Sequence, residues 1–198
     1  MKKTVLLLFL SIILLVSCND QEPDLTLPES TVPDFFTYSD EEGIISLIYP
    51  NTWTLNPTPA NNSVELISPS EETNDFFENL IITHSSLPAI TPSFEAYIQN
   101  VYNELLDKIS EFSLISRESL TVSGQNAVAL TFEGKPSYTQ DDESEFPKYK
   151  WLQVYAQMNN SVFVFSYTSL QDSPSSLLTE AKNIILSAVF FPSLDNKN

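Results

Sequence analysis

Three glycines in 198 residues are very few. Phosphate-cradling loops and dinucleotide fingerprints need several closely spaced glycines, so that scarcity removes them. Histidine and cysteine occur once each, as His84 and Cys18. Structural zinc needs four nitrogen or sulfur ligands and is therefore excluded. A Ser-His-Asp or Cys-His mechanism places a His beside its nucleophile. His84 instead alternates in step with Leu80 and Ile82, the pattern of a partly buried core or rim residue on a strand. No Gly-x-Ser-x-Gly elbow and no His-Glu-x-x-His pair occurs. The chain does not read as an enzyme. Basic residues are also short, at 9 Lys and Arg against 26 Asp and Glu, for a net charge of −17. Such a surface neither neutralises nucleic-acid phosphates nor hugs anionic lipid headgroups.

What is present begins with location. Lys2 and Lys3 precede an apolar run from Val5 to Val16, closed by Leu15-Val16-Ser17-Cys18. A basic start, an apolar stretch and small residues before a cleavage point describe a secretory signal. The run is shorter than the about 20 residues usual for a membrane span. Leu-Val-Ser-Cys resembles the bacterial lipobox, which implies cleavage between Ser17 and Cys18. It also implies a diacylglycerol and an N-linked acyl chain such as palmitate on Cys18. No other cofactor is expected. An acylated Cys18 leaves no thiol for a disulfide, so packing alone must stabilise the fold. Removing residues 1–17 takes away two lysines and leaves the mature chain still more acidic. Asn19 follows the acylated Cys, which permits outer-membrane delivery in a two-membrane bacterium whose sorting avoids Asp at that position.

Residues 18–33 are polar, acidic and proline-spaced and read as an extended tether. The folded domain is expected over 34–192, with 193–198 frayed. A hydrophobic content of 42% is too high for a disordered chain. Strands are expected at Phe35–Tyr38, Ile44–Tyr49, Val64–Ser68 and Leu80–Ser85, with acidic loops at Ser39–Gly43 and Ser70–Asn79. Thr91-Pro92 reads as the start of a helix whose stripe is Phe94, Ile98, Val101, Leu105 and Ile109, flanked by Tyr97 and Tyr102. Phe112–Val122 alternates loosely, and Val128, Leu130 and Phe132 share one face of the next strand. From Lys148 to Thr168 a hairpin turning at Asn159-Asn160 gathers Leu152, Val154, Ala156, Met158, Phe163, Phe165 and Tyr167 on one face. Its second face is too apolar for water and is expected to lie under a closing helix. That helix starts at Ser173-Pro174, carries Leu177, Ala181, Ile184 and Ala188, and ends at Phe190-Phe191-Pro192. The class is α+β, an antiparallel sheet flanked by helices.

This order resembles the PsbP-like superfamily, named for the extrinsic photosystem II protein. The matching residues are Gly43-Ile44-Ile45-Ser46-Leu47-Ile48-Tyr49-Pro50-Asn51-Thr52-Trp53, similar to the family's strand ending in Tyr-Pro-x-x-Trp. Val122-Ser123-Gly124-Gln125-Asn126-Ala127 is similar to its Val-x-Gly-x-x-Ala turn. The aromatic strand Ser161–Thr168 and Ser187-Ala188-Val189-Phe190 complete the pattern. The resemblance implies an α/β/α sandwich serving as an accessory or docking module without chemistry of its own, photosystem II-associated if the host is photosynthetic.

Expected contacts follow from these features: the membrane lipid through Cys18, an envelope protein partner, and no nucleic acid. Trp53, Trp151 and Tyr155 are candidate partner-binding aromatics, with packing under a helix as the alternative. Asp141, Asp142, Glu143 and Glu145 are weak candidates for Ca²⁺, beside Asp40, Glu41 and Glu42 and Glu71, Glu72 and Asp75. None has the alternating spacing that gathers several carboxylates on one ion, and solvated loops that keep the domain soluble are the first explanation of them. The functional expectation is a membrane-anchored accessory lipoprotein on the extracytoplasmic side. The alternative is a lipoprotein binding a small ligand or a divalent cation.

Overall fold

In a computed structural model, residues 34–58, 63–70, 76–87, 93–137, 147–173 and 175–191 are described. The signal segment, Cys18 and the tether lie outside them, as do Thr91-Pro92, Pro174 and the Asp141–Glu145 run. The fold is α+β, with antiparallel sheets and two helices. Strands β1 (Phe35–Ser39) and β2 (Ile45–Pro50) pair antiparallel. Asp40 makes the turn between them: its Oδ1 accepts the Ile44 N–H at 2.7 Å and the Ile45 N–H at 2.9 Å. Gly43 supplies the left-handed backbone, at φ +67°.

The larger sheet has seven strands: β3 (Thr54–Thr58), β4 (Ser63–Ile67), β5 (Asn79–Ser86), β6 (Ile109–Val122), β7 (Gln125–Pro136), β8 (Tyr149–Met158) and β9 (Ser161–Leu170). Their order is β3-β4-β5-β9-β8-β7-β6. The β8–β9 hairpin holds the expected register, with Met158 opposite Ser161, Ala156 opposite Phe163, Val154 opposite Phe165 and Leu152 opposite Tyr167. Asn159 takes the left-handed conformation at its turn, φ +53°.

Helix α1 (Phe94–Lys108) covers one face of this sheet, placing Ile98 with Tyr97, Val101 and Leu105 against Val128, Leu130, Phe132, Tyr155 and Val162. Helix α2 (Ser175–Leu186) and the small sheet cover the other. There Leu177, Ala181, Ile184 and Ile185 meet Leu152, Val154, Ala156, Phe165 and Tyr167.

Three expectations are corrected here. The second face of the hairpin lies under α1, and α2 packs on the first. Periodicity marks both helices as amphipathic but does not say which face each will cover. Helix α2 carries Ala181 on its stripe and Ala188 follows its end, both buried and small enough to approach a face already filled by phenylalanines and Tyr167. Helix α1 is capped by Ser93, whose side chain accepts the Ala96 N–H at 3.1 Å, two residues after the expected start. Helix α2 stops at Leu186, and Val189–Phe190 form strand β10, which pairs with β2. Ser187 continues that ladder with a side chain: its hydroxyl accepts the Ile48 N–H at 2.9 Å. Strand β3, at the edge of the large sheet, tolerates Pro57 there.

The β6–β7 turn explains the Val-x-Gly-x-x-Ala pattern. Ser123 and Gly124 both have positive φ, +53° and +74°, the backbone of a tight hairpin turn. The Ser123 Oγ also accepts the Phe190 N–H at 2.9 Å, which ties β10 to the turn. Val122 and Ala127, on either side, are buried.

Near its start β6 bulges, with Glu111 and Phe112 opposing Gly134 alone. Glu111 is left-handed there, φ +52°, and accepts Lys148 at 2.6 Å and Lys135 at 2.9 Å. Those two ammonium groups, Lys148 first, hold its carboxyl below the ordinary carboxylate range. A lowered carboxyl pKa adds stability above the unfolded-state value and loses it as pH falls through the folded one. The substitution E111Q should therefore flatten the acid side of the stability curve and leave the profile above about pH 6 parallel to wild type, read from thermal midpoints between about pH 3 and about pH 8. A Cβ on Gly134 would collide with Ile109 Cγ2 and lie 2.7 Å from the Ser110 carbonyl oxygen. G134A should cost about 1–3 kcal/mol by overpacking, measured by urea unfolding. An unchanged midpoint would show that the bulge yields.

Candidate functional site

A cleft of about 510 Å³ opens between the small sheet and the β3–β5 end of the large one. Its floor is apolar: Ile45, Val64, Ile82 and Phe163 are buried, and Leu55 is half-buried. Three consecutive residues of β1, Thr37, Tyr38 and Ser39, form one wall. Strand β1 bonds to β2 on one side only, so its other edge is free among the described residues. Ser63, Thr83 and His84 form the facing wall. His84 falls in step with buried Leu80 and Ile82, as the alternation predicts, and its ring stacks on Phe163 with centroids 5.7 Å apart.

The rim has one sign of charge. Asp40, Glu41 and Glu42 line it, and among the described residues no Lys or Arg does. The ion pairs found among the described residues lie elsewhere, at Lys108–Glu104, Arg117–Glu95 and around Glu111. The Tyr38 hydroxyl reports the local field: burial raises its pKa first, and the negative charges of Asp40 and Glu41 add to the rise. Negative charge over an apolar, aromatic floor suits a group with a cationic head and an apolar body. Hydroxyls of Thr37, Ser39, Ser63 and Thr83 can take or give hydrogen bonds. Among the described residues no three Asp, Glu, His or Cys side chains gather as a metal cluster.

The candidate partner-binding aromatics lie elsewhere, and two of them take the alternative reading of packing under a helix. Trp53 is 2% exposed, and its indole N–H donates to Glu180 Oε2 at 2.8 Å, pinning α2. Tyr155 is 4% exposed beneath α1, edge-on to Tyr97, and its hydroxyl donates to Gln153. Neither ring is free to insert into a partner, because each fills space under a helix. Trp151 is half-buried and lies against Phe132 and Tyr149. Within the stretch read as an acidic loop, Glu78 is 1% exposed and accepts the Tyr167 hydroxyl. Ser17, Cys18, Glu71, Glu72, Asp75, Asp141, Asp142, Glu143 and Glu145 lie outside the described residues. Sequence reasoning named Asp40, Glu41, Glu42 and His84 separately. It missed that Tyr38, Leu55, Val64 and Phe163 join them, and the only available signal was the shared alternation of His84 with Ile82.

An antiparallel sheet with one helix on one face and a second helix plus a small sheet on the other is a PsbP/Mog1-like fold. Solved structures bear this out. Cyanobacterial PsbP from Synechocystis superposes with a TM-score of 0.55 at 14% identity, over 82% of this chain and 95% of that one. LpqN of Mycobacterium tuberculosis, involved in cell envelope biogenesis, gives 0.56 at 16%, over 80% and 91%. The Ran-binding protein Mog1p of Saccharomyces cerevisiae gives 0.57 at 8%, over 79% and 95%. At such identities the shared property is the fold. No protein-family model matches the chain, and no curated protein does.

Asp40 serves the turn through one carboxylate oxygen and the rim through its charge, and the two roles separate by substitution. D40A removes the acceptor of two backbone N–H groups and should cost about 1–3 kcal/mol, whereas D40N keeps an acceptor oxygen and should cost well under half of that. Denaturant titration of both decides it. Equal losses would mean that charge, not acceptance, matters in the turn.

Proposed function

We propose that this protein is a membrane-anchored, extracytoplasmic accessory lipoprotein without catalytic activity. It docks onto an envelope or membrane protein by receiving a segment that carries apolar and cationic side chains. The cleft carries this reading: an apolar floor, a free strand edge and an unneutralised acidic rim occur together at one place. An extended segment could add to the edge of β1 with backbone bonds and set alternate side chains on the floor. The lipobox-like Leu15–Cys18 supports the anchor. Structural likeness to an envelope-biogenesis protein and to cyanobacterial PsbP supports the extracytoplasmic setting. Likeness to a Ran-binding protein supports the use of this fold for recognition. The lone His84, stacked on Phe163, supports the non-catalytic reading.

Small-ligand binding is the second reading, favoured by the cleft's volume, which falls in the range of small-molecule sites. Crosslinking and affinity isolation of the tagged full-length protein from its own membranes tests both. A partner recovered with wild type, and reduced about tenfold or more by the double substitution E41K/E42K, would support docking at the cleft, since rim charge reversal acts on encounter and register. Undiminished recovery would move the interface elsewhere. No protein above background would sink docking and leave the ligand reading, which predicts a raised thermal midpoint with hydrophobic amines.

A further inference from the structure

The three-stranded sheet has a second, outer face, which meets the cleft only through Thr37 and Ser39 at the free edge of β1. Paired residues on antiparallel neighbours project to the same side, so Phe35 goes with Pro50, Thr37 with Ile48, Ser39 with Ser46, and Ser46 with Val189. Tyr49, Leu47, Ile45 and Phe190 point the other way and are buried. The outer face therefore presents Phe35 at 59% exposure, Ile48 at 47%, Val189 at 44% and Phe191 at 44%. Leu186, at 54%, stands beside them at the end of α2. Several large apolar side chains exposed on one face mark a contact surface. Strands β1, β2 and β10 contain no Asp, Glu, Lys or Arg, in a chain of net charge −17.

We propose that this face seats the domain on the headgroup–acyl boundary of the bilayer that holds its lipid. The inference rests on the anchored-lipoprotein reading and adds an orientation to it. Two observations select the bilayer as occupant. The chain enters the domain at Asp34, next to Phe35 on this face, 16 residues after Cys18. Whatever its path, that segment spans at most about 55 Å, so an acylated Cys18 holds the entry to this sheet within that distance of the membrane and raises its effective concentration there. The charge distribution supplies the second. Acidic surfaces are repelled by anionic headgroups, and the uncharged apolar strands are the part that can approach and bury side chains at the boundary. The acidic rim of the cleft, on the turn between β1 and β2, then remains in water.

The test uses the full-length acylated protein in phosphatidylcholine vesicles. Thioether-linked Cys18 leaves no free thiol, so I48C, V189C and, on α1, L106C can each carry one environment-sensitive fluorophore. Leu106 is 48% exposed and serves as the comparison on the far side of the large sheet. Expected is co-flotation, with blue-shifted emission and at least about twofold quenching by doxyl lipids at positions 48 and 189, as burial at the boundary requires, and neither change at 106. Co-flotation with all three probes in water would overturn the seating and leave the anchor intact. Probes at 48 and 189 that are water-exposed in vesicles but shielded in native membranes would assign the face to a protein and also overturn it. Absence of co-flotation, matched by C18A, would remove the anchor and this inference with it.

Discussion

The structure depends on the pairing of β8 with β9. That hairpin divides its side chains so cleanly that both sides of the central sheet become hydrophobic surfaces in need of cover. Leu152, Val154, Ala156, Phe163, Phe165 and Tyr167 face one way; Tyr155 and Val162 face the other. A shift of one residue would exchange the two sets and leave both helices against the wrong partners. Everything added to the hairpin answers one of these faces. Helix α1 closes the second, while α2, the small sheet and Trp53 close the first.

Closing the first face takes several pieces, and the functional features arise where they meet. The small sheet reaches the core through Ile45, Leu47, Tyr49 and Phe190, the last stacked on Phe163 at 4.2 Å. It covers only part of the β3–β5 end, so a cleft remains with Phe163 and Ile82 as floor. The same three strands expose their other side to solvent. One element thus builds a wall of the cleft and carries the uncharged outer face. Partner recognition and membrane seating, as proposed, would be mechanically linked through β1 and β2. Ser187 and Ser123 hold this element to the rest by side-chain hydrogen bonds at points where a backbone ladder is lacking.

Polar groups inside the fold are handled in the same way. Glu78 and Tyr167 meet where β5 begins, and Trp53 finds Glu180 across 127 residues of sequence. Buried donors and acceptors must be satisfied locally or by long-range partners. The long-range kind joins segments whose proximity no local pattern announces.

Local chemistry in the sequence was enough for the hairpin register, the two amphipathic helices, the Asp40–Gly43 and Ser123-Gly124 turns, and the inward lean of His84. Each follows from a period of two or 3.6, or from a residue suited to positive φ, and needs no knowledge of distant chain. The tertiary structure alone decided which helix covers which face, that Val189–Phe190 leave the helix to pair with β2, and that Trp53 and Tyr155 are interior. It also alone brought Tyr38, Leu55, Val64 and Phe163 into one cleft with the acidic rim. Those outcomes depend on volume, on the crossing of a connection over the sheet and on contacts between residues far apart in sequence, and periodicity carries none of that information.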